Sequence, residues 1–387
     1  MLRQSLASGF RVFFLLASAH AAGSVIVWAL LLAGVLSAPA GGLPPVWWHA
    51  HEMVFGFSRA VVAGFLLTAV RNWTGLPTPT GGALGALASL WLVPRLLGWA
   101  GAAGIPLMAV LDLAFGVALL AAVGVPVVKA RQGRQAIVLV WLGLFAAADA
   151  LFYTGAMGWS VLGLQRGVEL GLYAVLGLLL TIAARVMPFF VRSALPGSRP
   201  FEVQPSFDRA LSAALLAFWL AQAVAAPTTV VRVLAGVLAG GHGVRLVRWW
   251  RPGLGGRSLL WVLYGAYGWV VCGFALQAVG PWIGLGPVHA LHAHAVGGVG
   301  AMAVGMMARV SLGHTGRDVR APRPGLAMVF ALVFVAAFLR VVGPWWAPAS
   351  TFAWYMATAA LWVVGLMALS VWGLPLWTRP RPDGQPG

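Results

Sequence analysis

Twelve apolar runs, each closed by a short polar or Gly/Pro-rich segment, take up nearly the whole chain. They lie at approximately 10–36, 49–70, 83–100, 102–128, 135–157, 167–192, 208–226, 228–250, 258–280, 288–312, 325–345 and 348–376. A hydrocarbon core roughly 30 Å thick takes about 20 apolar residues per helix. Each run therefore predicts one membrane crossing. The fold class is all-α, a polytopic integral membrane protein with about 12 transmembrane helices in a single domain spanning 1–387. The connections are short and marked by Gly and Pro, as in GLPTPTGG at 75–82 and ALPGSRP at 194–200. That predicts a compact bundle rather than linked modules.

Composition agrees. The 387 residues are 61% hydrophobic and only 9% charged, whereas a soluble domain needs roughly 25% charged residues to cover its surface. The net charge of +17 would suggest nucleic acid in a soluble protein, but its placement excludes that reading. Lys129, Arg131 and Arg134 follow span 4, and Arg199 and Arg209 follow span 6. Arg245, Arg248, Arg251 and Arg257 surround the end of span 8; Arg317, Arg320 and Arg323 follow span 10; Arg379 and Arg381 follow span 12. With Arg3 and Arg71, these clusters fall on one side, and only Arg166 breaks the pattern. The positive-inside rule then predicts both termini in the cytoplasm. Trp47, Trp48, Trp282, Trp345 and Trp346 at one set of ends, and Trp73, Trp249 and Trp250 at the other, predict the interfacial aromatic belt. Residues 1–36 are read as an uncleaved first helix, because the run is too long for a signal peptide. Cys272 is the single cysteine, so no intrachain disulfide forms.

Candidate chemistry gathers at two of these spans. His49 and His51 open span 2, while His289, His292 and His294 open span 10. Imidazole is the commonest protein ligand for metals. An i,i+2 pair points its rings about 200° apart on an ideal helix, so both rings of one pair reach a single metal only if the helix end unwinds. His289 and His292, at i,i+3, share a face. The economical expectation is one histidine from each span, His51 and His292 with His49 as an alternative, as axial ligands of a b-type heme near the outer interface. His289, His294 and His49 are left for a second metal or for entry to the pocket. Arg95 and Arg340 suit the heme propionates, since a guanidinium fork accepts a carboxylate in bidentate fashion.

Other intramembrane polar groups are Glu52, Arg59, Asp112, Asp149, Glu169, Arg185, Arg309 and His314. Charges at such depth face the bundle interior and have partners. Glu52 and Arg59, seven apart on one stripe, are candidates for a structural ion pair. His20 and His242 lie elsewhere in the sequence, and Met302 and Met306 are read as packing. A weak echo links HAH and the exits of spans 2 and 10, and Ala184-Arg185-Val186 with Ala308-Arg309-Val310. It divides the chain into three four-helix repeats, 1–130, 131–255 and 256–387, against chance similarity in an Ala/Gly/Val-rich sequence.

Four segments, HAHEMVFGFSRAVVAGFLLTAVRNWTG (49–75), LWLVPRLLG (90–98), ARVMPFFVRSAL (184–195) and LHAHAVGGVGAMAVGMMARVSLGHTGR (291–317), together resemble the NnrS family. The resemblance implies a multi-pass protein of the bacterial inner membrane that contains heme and copper and is associated with nitric oxide metabolism or resistance to nitrosative stress. Family motif positions match at His49, His51, Glu52, Arg95, Arg185, Pro188, His292, Arg309, His314 and Gly316. Arg71 stands where the family pattern has proline, Tyr264 where it has histidine, and His294 is additional. Histidines on the second and tenth of twelve spans are also similar to the helix array of the heme-copper oxidase catalytic subunit. That enzyme's three-histidine copper site has no counterpart, because spans 6 and 7 contain no histidine.

Two functions follow as expectations. One is a heme protein, with copper where the family's pattern is met, that binds, senses or exchanges electrons with nitric oxide, with an electron donor the sequence does not identify. The alternative is a membrane transporter for a metal or small metal complex. Both have the lipid bilayer as their surroundings, and neither requires nucleic acid.

Overall fold

The computed structural model describes residues 2–36, 43–199, 201–202, 204–321 and 324–384; Arg323, counted above among the basic residues, lies outside them. All twelve predicted spans are helices: α1 Gly9–Leu32, α2 Pro45–Thr74, α3 Gly81–Leu97, α4 Ile105–Lys129, α5 Ala136–Ala156, α6 Gly163–Ala194, α7 Pro205–Ala223, α8 Thr228–Trp249, α9 Ser258–Val279, α10 Pro287–His314, α11 Leu326–Trp346 and α12 Thr351–Thr378. Eleven are long and apolar enough to cross a bilayer. The remaining one, α7, carries Ser206, Asp208, Arg209, Ser212 and Gln222 along 19 residues, and these dilute its hydrophobicity. The all-helical architecture follows from the solvent, because in lipid every backbone N–H and C=O must be satisfied internally.

Local chemistry sets the helix ends. Pro45, Pro205 and Pro287 begin α2, α7 and α10, where the missing N–H would have had no helical partner. Gly75 closes α2 with φ 70° and returns its N–H to Arg71 O, a left-handed cap that a residue with a Cβ adopts less readily. The two helices that open with clustered histidines share one departure from regularity. In α2, residues Glu52–Ser58 form a π-helical segment, and in α10 Ala293–Gly300 do the same. The Ser58 hydroxyl donates to Met53 O at 2.9 Å, five residues back. Such segments concentrate at functional sites. These two helices are also the most enclosed of the eleven, with 89% of α10 and 78% of α2 buried over their most apolar stretch against 50% or less for the others.

The chain forms two compact units. The first comprises Met1–Val175, Val310–Arg317 and Leu366–Gly387, and the second Leu176–Arg309 and Asp318–Gly365. In the first, α1 packs on α2, and α4 packs on α2, α3 and α5. Its core is aromatic, with Phe10, Phe13, Phe14, Phe55, Trp91, Phe115, Trp141 and Phe145 essentially inaccessible. In the second, α8 packs on α7 and α9, and α10 packs on α9 and α11. Glycine makes the α9–α10 contact close: a Cβ on Gly298 would lie 2.7 Å from Val270, and one on Gly305 2.8 Å from Leu263.

Candidate functional site

A network of eight ionisable side chains from five helices fills the interior of the first unit. At its centre is His51, the last residue before the π segment of α2. Its Nδ1 lies 3.2 Å from Glu52 Oε1, its Nε2 3.3 Å from Asp149 Oδ1 on α5, and the same Nε2 3.8 Å from Asp112 Oδ2 on α4. Arg59 Nη2 donates to Asp149 Oδ2 at 2.6 Å, and Arg59 Nη1 to the main-chain oxygen of Asp112 at 3.1 Å. Arg95 on α3 reaches Glu52 Oε2 through Nε at 3.1 Å and pairs with Asp112 through Nη2. The Tyr153 hydroxyl donates to Asp112 Oδ2 at 2.6 Å. His20 of α1 completes the chain, with Nε2 at 3.0 Å from Glu52 Oε2. Apart from His20, at 15%, no member is more than 7% exposed.

Aromatic rings enclose the network. Arg59 lies 5.2 Å from the rings of both Phe55 and Phe145, and Arg95 lies 5.8 Å from Trp91. Trp91 in turn donates to Gly56 O at 3.0 Å. The His51 ring lies against that of Phe152, centroids 4.6 Å apart and tilted by 32°. Gly56 is required here, because a Cβ would fall 2.5 Å from His20 Nε2 and 2.9 Å from Glu52 Oε2. Three carboxylates face two guanidinium groups, which leaves one negative charge uncompensated by arginine. His51, with a carboxylate beside each ring nitrogen, is placed to balance that charge as an imidazolium.

Glu52 and Arg59, candidates for structural ion pairs, do form them, Arg59 with Asp149 of α5 and Glu52 with Arg95 of α3. Seven residues rise about 10 Å along a helix, and the intervening π segment shifts their register. Arg95, expected to receive heme propionates, instead pairs with Glu52 through Nε and with Asp112 through Nη2. As an iron ligand His51 does not fit its surroundings, because each ring nitrogen already meets a carboxylate. His49 points elsewhere and stacks on Trp28 at 4.6 Å. Two members escaped sequence reasoning. His20 has no second histidine or acidic residue near it in sequence, and Tyr153, in an apolar helix, gives no signal without the fold.

The second unit presents the span 10 histidines. Near the start of α10, His289 Nδ1 lies 2.7 Å from Val341 O of α11, and His292 Nδ1 lies 2.8 Å from Val288 O. A carbonyl only accepts, so both rings carry their proton on Nδ1, and Nε2 is the basic nitrogen of each. Both rings are half-buried. His294 is fully buried, 4.6 Å from the Phe274 ring, where Gly273 leaves room for it, since a Cβ there would sit 2.5 Å from His294 Nδ1. Arg340, next to the carbonyl that holds His289, lies 4.2 Å from the Tyr355 ring, and its Nη1 is buried without a hydrogen bond among the described residues.

The other expected residues lie apart from these groups. Glu169 accepts from Gln165 at 2.9 Å, and His314 packs against Phe10 at 5.8 Å. Arg185 is half-buried on α6. Arg309 is buried over Phe190 at 3.8 Å. Met302 and Met306 are buried. Tyr264, in place of the family's histidine, donates to Leu246 O at 3.0 Å. Among the described residues no three His, Cys, Asp or Glu side chains are grouped as a metal cage.

A helical array of this length and apolarity, enclosing charged networks, defines a polytopic α-helical membrane protein. The family profile described as NnrS protein matches residues 4–381. The chain belongs to the NnrS family, and that membership supports a role in the nitric oxide response in general terms. No curated protein matches the sequence.

Proposed function

We propose that this protein is a heme-binding redox protein of the bacterial inner membrane, with both termini in the cytoplasm, acting in nitric oxide metabolism or resistance to nitrosative stress. The observation that carries the reading is the pair His289 and His292, whose Nδ1 atoms sit on main-chain carbonyls at 2.7 and 2.8 Å. Each ring thereby keeps a fixed tautomer with Nε2 as its basic nitrogen, the arrangement that orients imidazole ligands in metal proteins. In this reading His292 or His289 would hold the heme iron, and the unengaged Nη1 of Arg340 would receive a propionate. Bound heme supplies one-electron chemistry and an iron position that nitric oxide can occupy.

The remaining steps belong to the chain's own groups. The His51 network stores a charge pattern that a single proton neutralises, and His20, its most exposed member, connects it outward. Aromatic walls exclude water and strengthen each ion pair by lowering the local dielectric. Copper, which the family resemblance implies, does not fit in the same pattern. The span 9 position carries the phenol of Tyr264, whose hydroxyl is already committed to a main-chain oxygen.

The test is a reduced-minus-oxidised optical spectrum of the purified protein. A b-type signal is expected in the wild type, and its loss in His292→Ala or His289→Ala, with His51→Gln retaining it. A preparation that is folded but colourless, or a signal unchanged in the two span 10 variants, overturns the reading and favours a transporter of a metal or metal complex.

A further inference from the structure

At the end of the second unit remote from His289 and His292, a cavity of about 80 Å³ opens between the start of α9 and the last turns of α10. A water molecule needs about 10–15 Å³ on this measure, so the cavity admits a group of several non-hydrogen atoms. Three arginines line it, Arg257, Arg309 and Arg320, together with Ser258 and Leu259, and no carboxylate does.

The three guanidinium groups differ in depth. Arg309 is 5% exposed and forms the floor, with one face held at 3.8 Å by the Phe190 ring. Among the described residues it has no ion pair with an acid. Phe190 itself packs against a small core of Val191, Ala194, Leu254 and Leu260, so the ring and the cation above it are fixed. Arg257 and Arg320 are exposed at the rim and are held by neutral acceptors, Arg257 Nη1 by Arg320 O at 3.5 Å and Arg320 Nε by Ser193 O at 3.2 Å. The nearby acid, Asp318, uses Oδ1 on the main-chain N–H of Arg320 at 2.7 Å. Ser258 and Leu259 are the first residues of the 22-residue helix α9, and first-turn amides have no partner within their helix.

A cation–π contact satisfies one face of a guanidinium and leaves its N–H edge free. Burial without a counter-charge is unfavourable in a membrane protein, where such cations find anionic partners. We propose that this cavity binds a phosphate-class oxyanion, with Arg309 as the deep cation, Arg257 and Arg320 closing over it, and the α9 amino end adding its partial positive charge. The chemistry is that of a free phosphate or of the phosphate of an anionic phospholipid headgroup.

Thermal unfolding separates the two sources. Wild-type protein is compared in phosphatidylglycerol and phosphatidylcholine vesicles, and, in delipidated detergent solution, with inorganic phosphate against chloride at equal ionic strength. Higher stability in phosphatidylglycerol identifies a lipid headgroup, and higher stability with phosphate alone identifies the free ion. Either gain must shrink in Arg257→Gln and Arg320→Gln, whose rim positions leave the core intact. In the double variant phosphate is expected to bind about tenfold more weakly or worse. Equal stability in both vesicles with phosphate no better than chloride, or a gain that survives both rim substitutions, overturns the proposal.

Discussion

At the scale of single residues, the first unit depends on matching buried charges in pairs. Arg59 and Asp149 are fully enclosed and meet at 2.6 Å. Removing one partner of such a pair strands the other charge, which is destabilising by roughly 3–5 kcal/mol. Arg59→Met should therefore lower thermal stability in detergent sharply, and Asp149→Leu should do the same. The double variant should recover most of the loss, because it leaves neither charge behind. A double variant as unstable as the sum of the singles would mean that the pair does not form. The sequence made these charges visible as a set, since each stands in an otherwise apolar run. It did not reveal their partners. The actual pairs cross between helices α2, α3, α4 and α5, while sequence spacing offers only neighbours on one helix.

At the scale of elements, close contact in the first unit relies on glycine where helices touch main chain to main chain. Gly167 of α6 is a tight case that a substitution can probe: a Cβ there would stand 2.5 Å from the Phe152 main-chain nitrogen and 2.6 Å from its Cα. Neither atom can move away as a flexible side chain would. Phe152 lies against the His51 ring at 4.6 Å, so displacement would also reach the charged network. Gly167→Ala should destabilise by about 1–3 kcal/mol, measured as a lower melting temperature. Gly143→Ala on α5, with no atom within 4 Å of the new Cβ, should be neutral or slightly stabilising, because alanine favours helix. The helices themselves were legible to within four residues, since the length of an apolar run is set by bilayer thickness. The π segments were not. They come from the packing of α2 and α10 in their surroundings, and the HAH motif that precedes or overlaps each one carries no backbone instruction of its own.

At the scale of the whole molecule, the arrangement of basic residues makes a claim about orientation that the apolar runs alone do not. Lys129 ends α4 and Arg131 and Arg134 follow in the loop to α5, while the loop from α5 to α6 presents Trp159, 76% exposed, beside Val161 and Leu162. Anionic lipids and the insertion machinery retain cationic loops on the cytoplasmic side, whereas an exposed tryptophan suits either interface. These two loops are separated by one membrane crossing, α5, and must face opposite compartments. Cys272 is the only native thiol, so a Cys272→Ser background permits site-directed labelling. In intact cells, a membrane-impermeant maleimide should modify Trp159→Cys and leave Lys129→Cys untouched until the membrane is permeabilised. The reverse pattern would invert the molecule. Labelling of both sites in intact cells would remove α5 as a crossing and with it the twelve-span count.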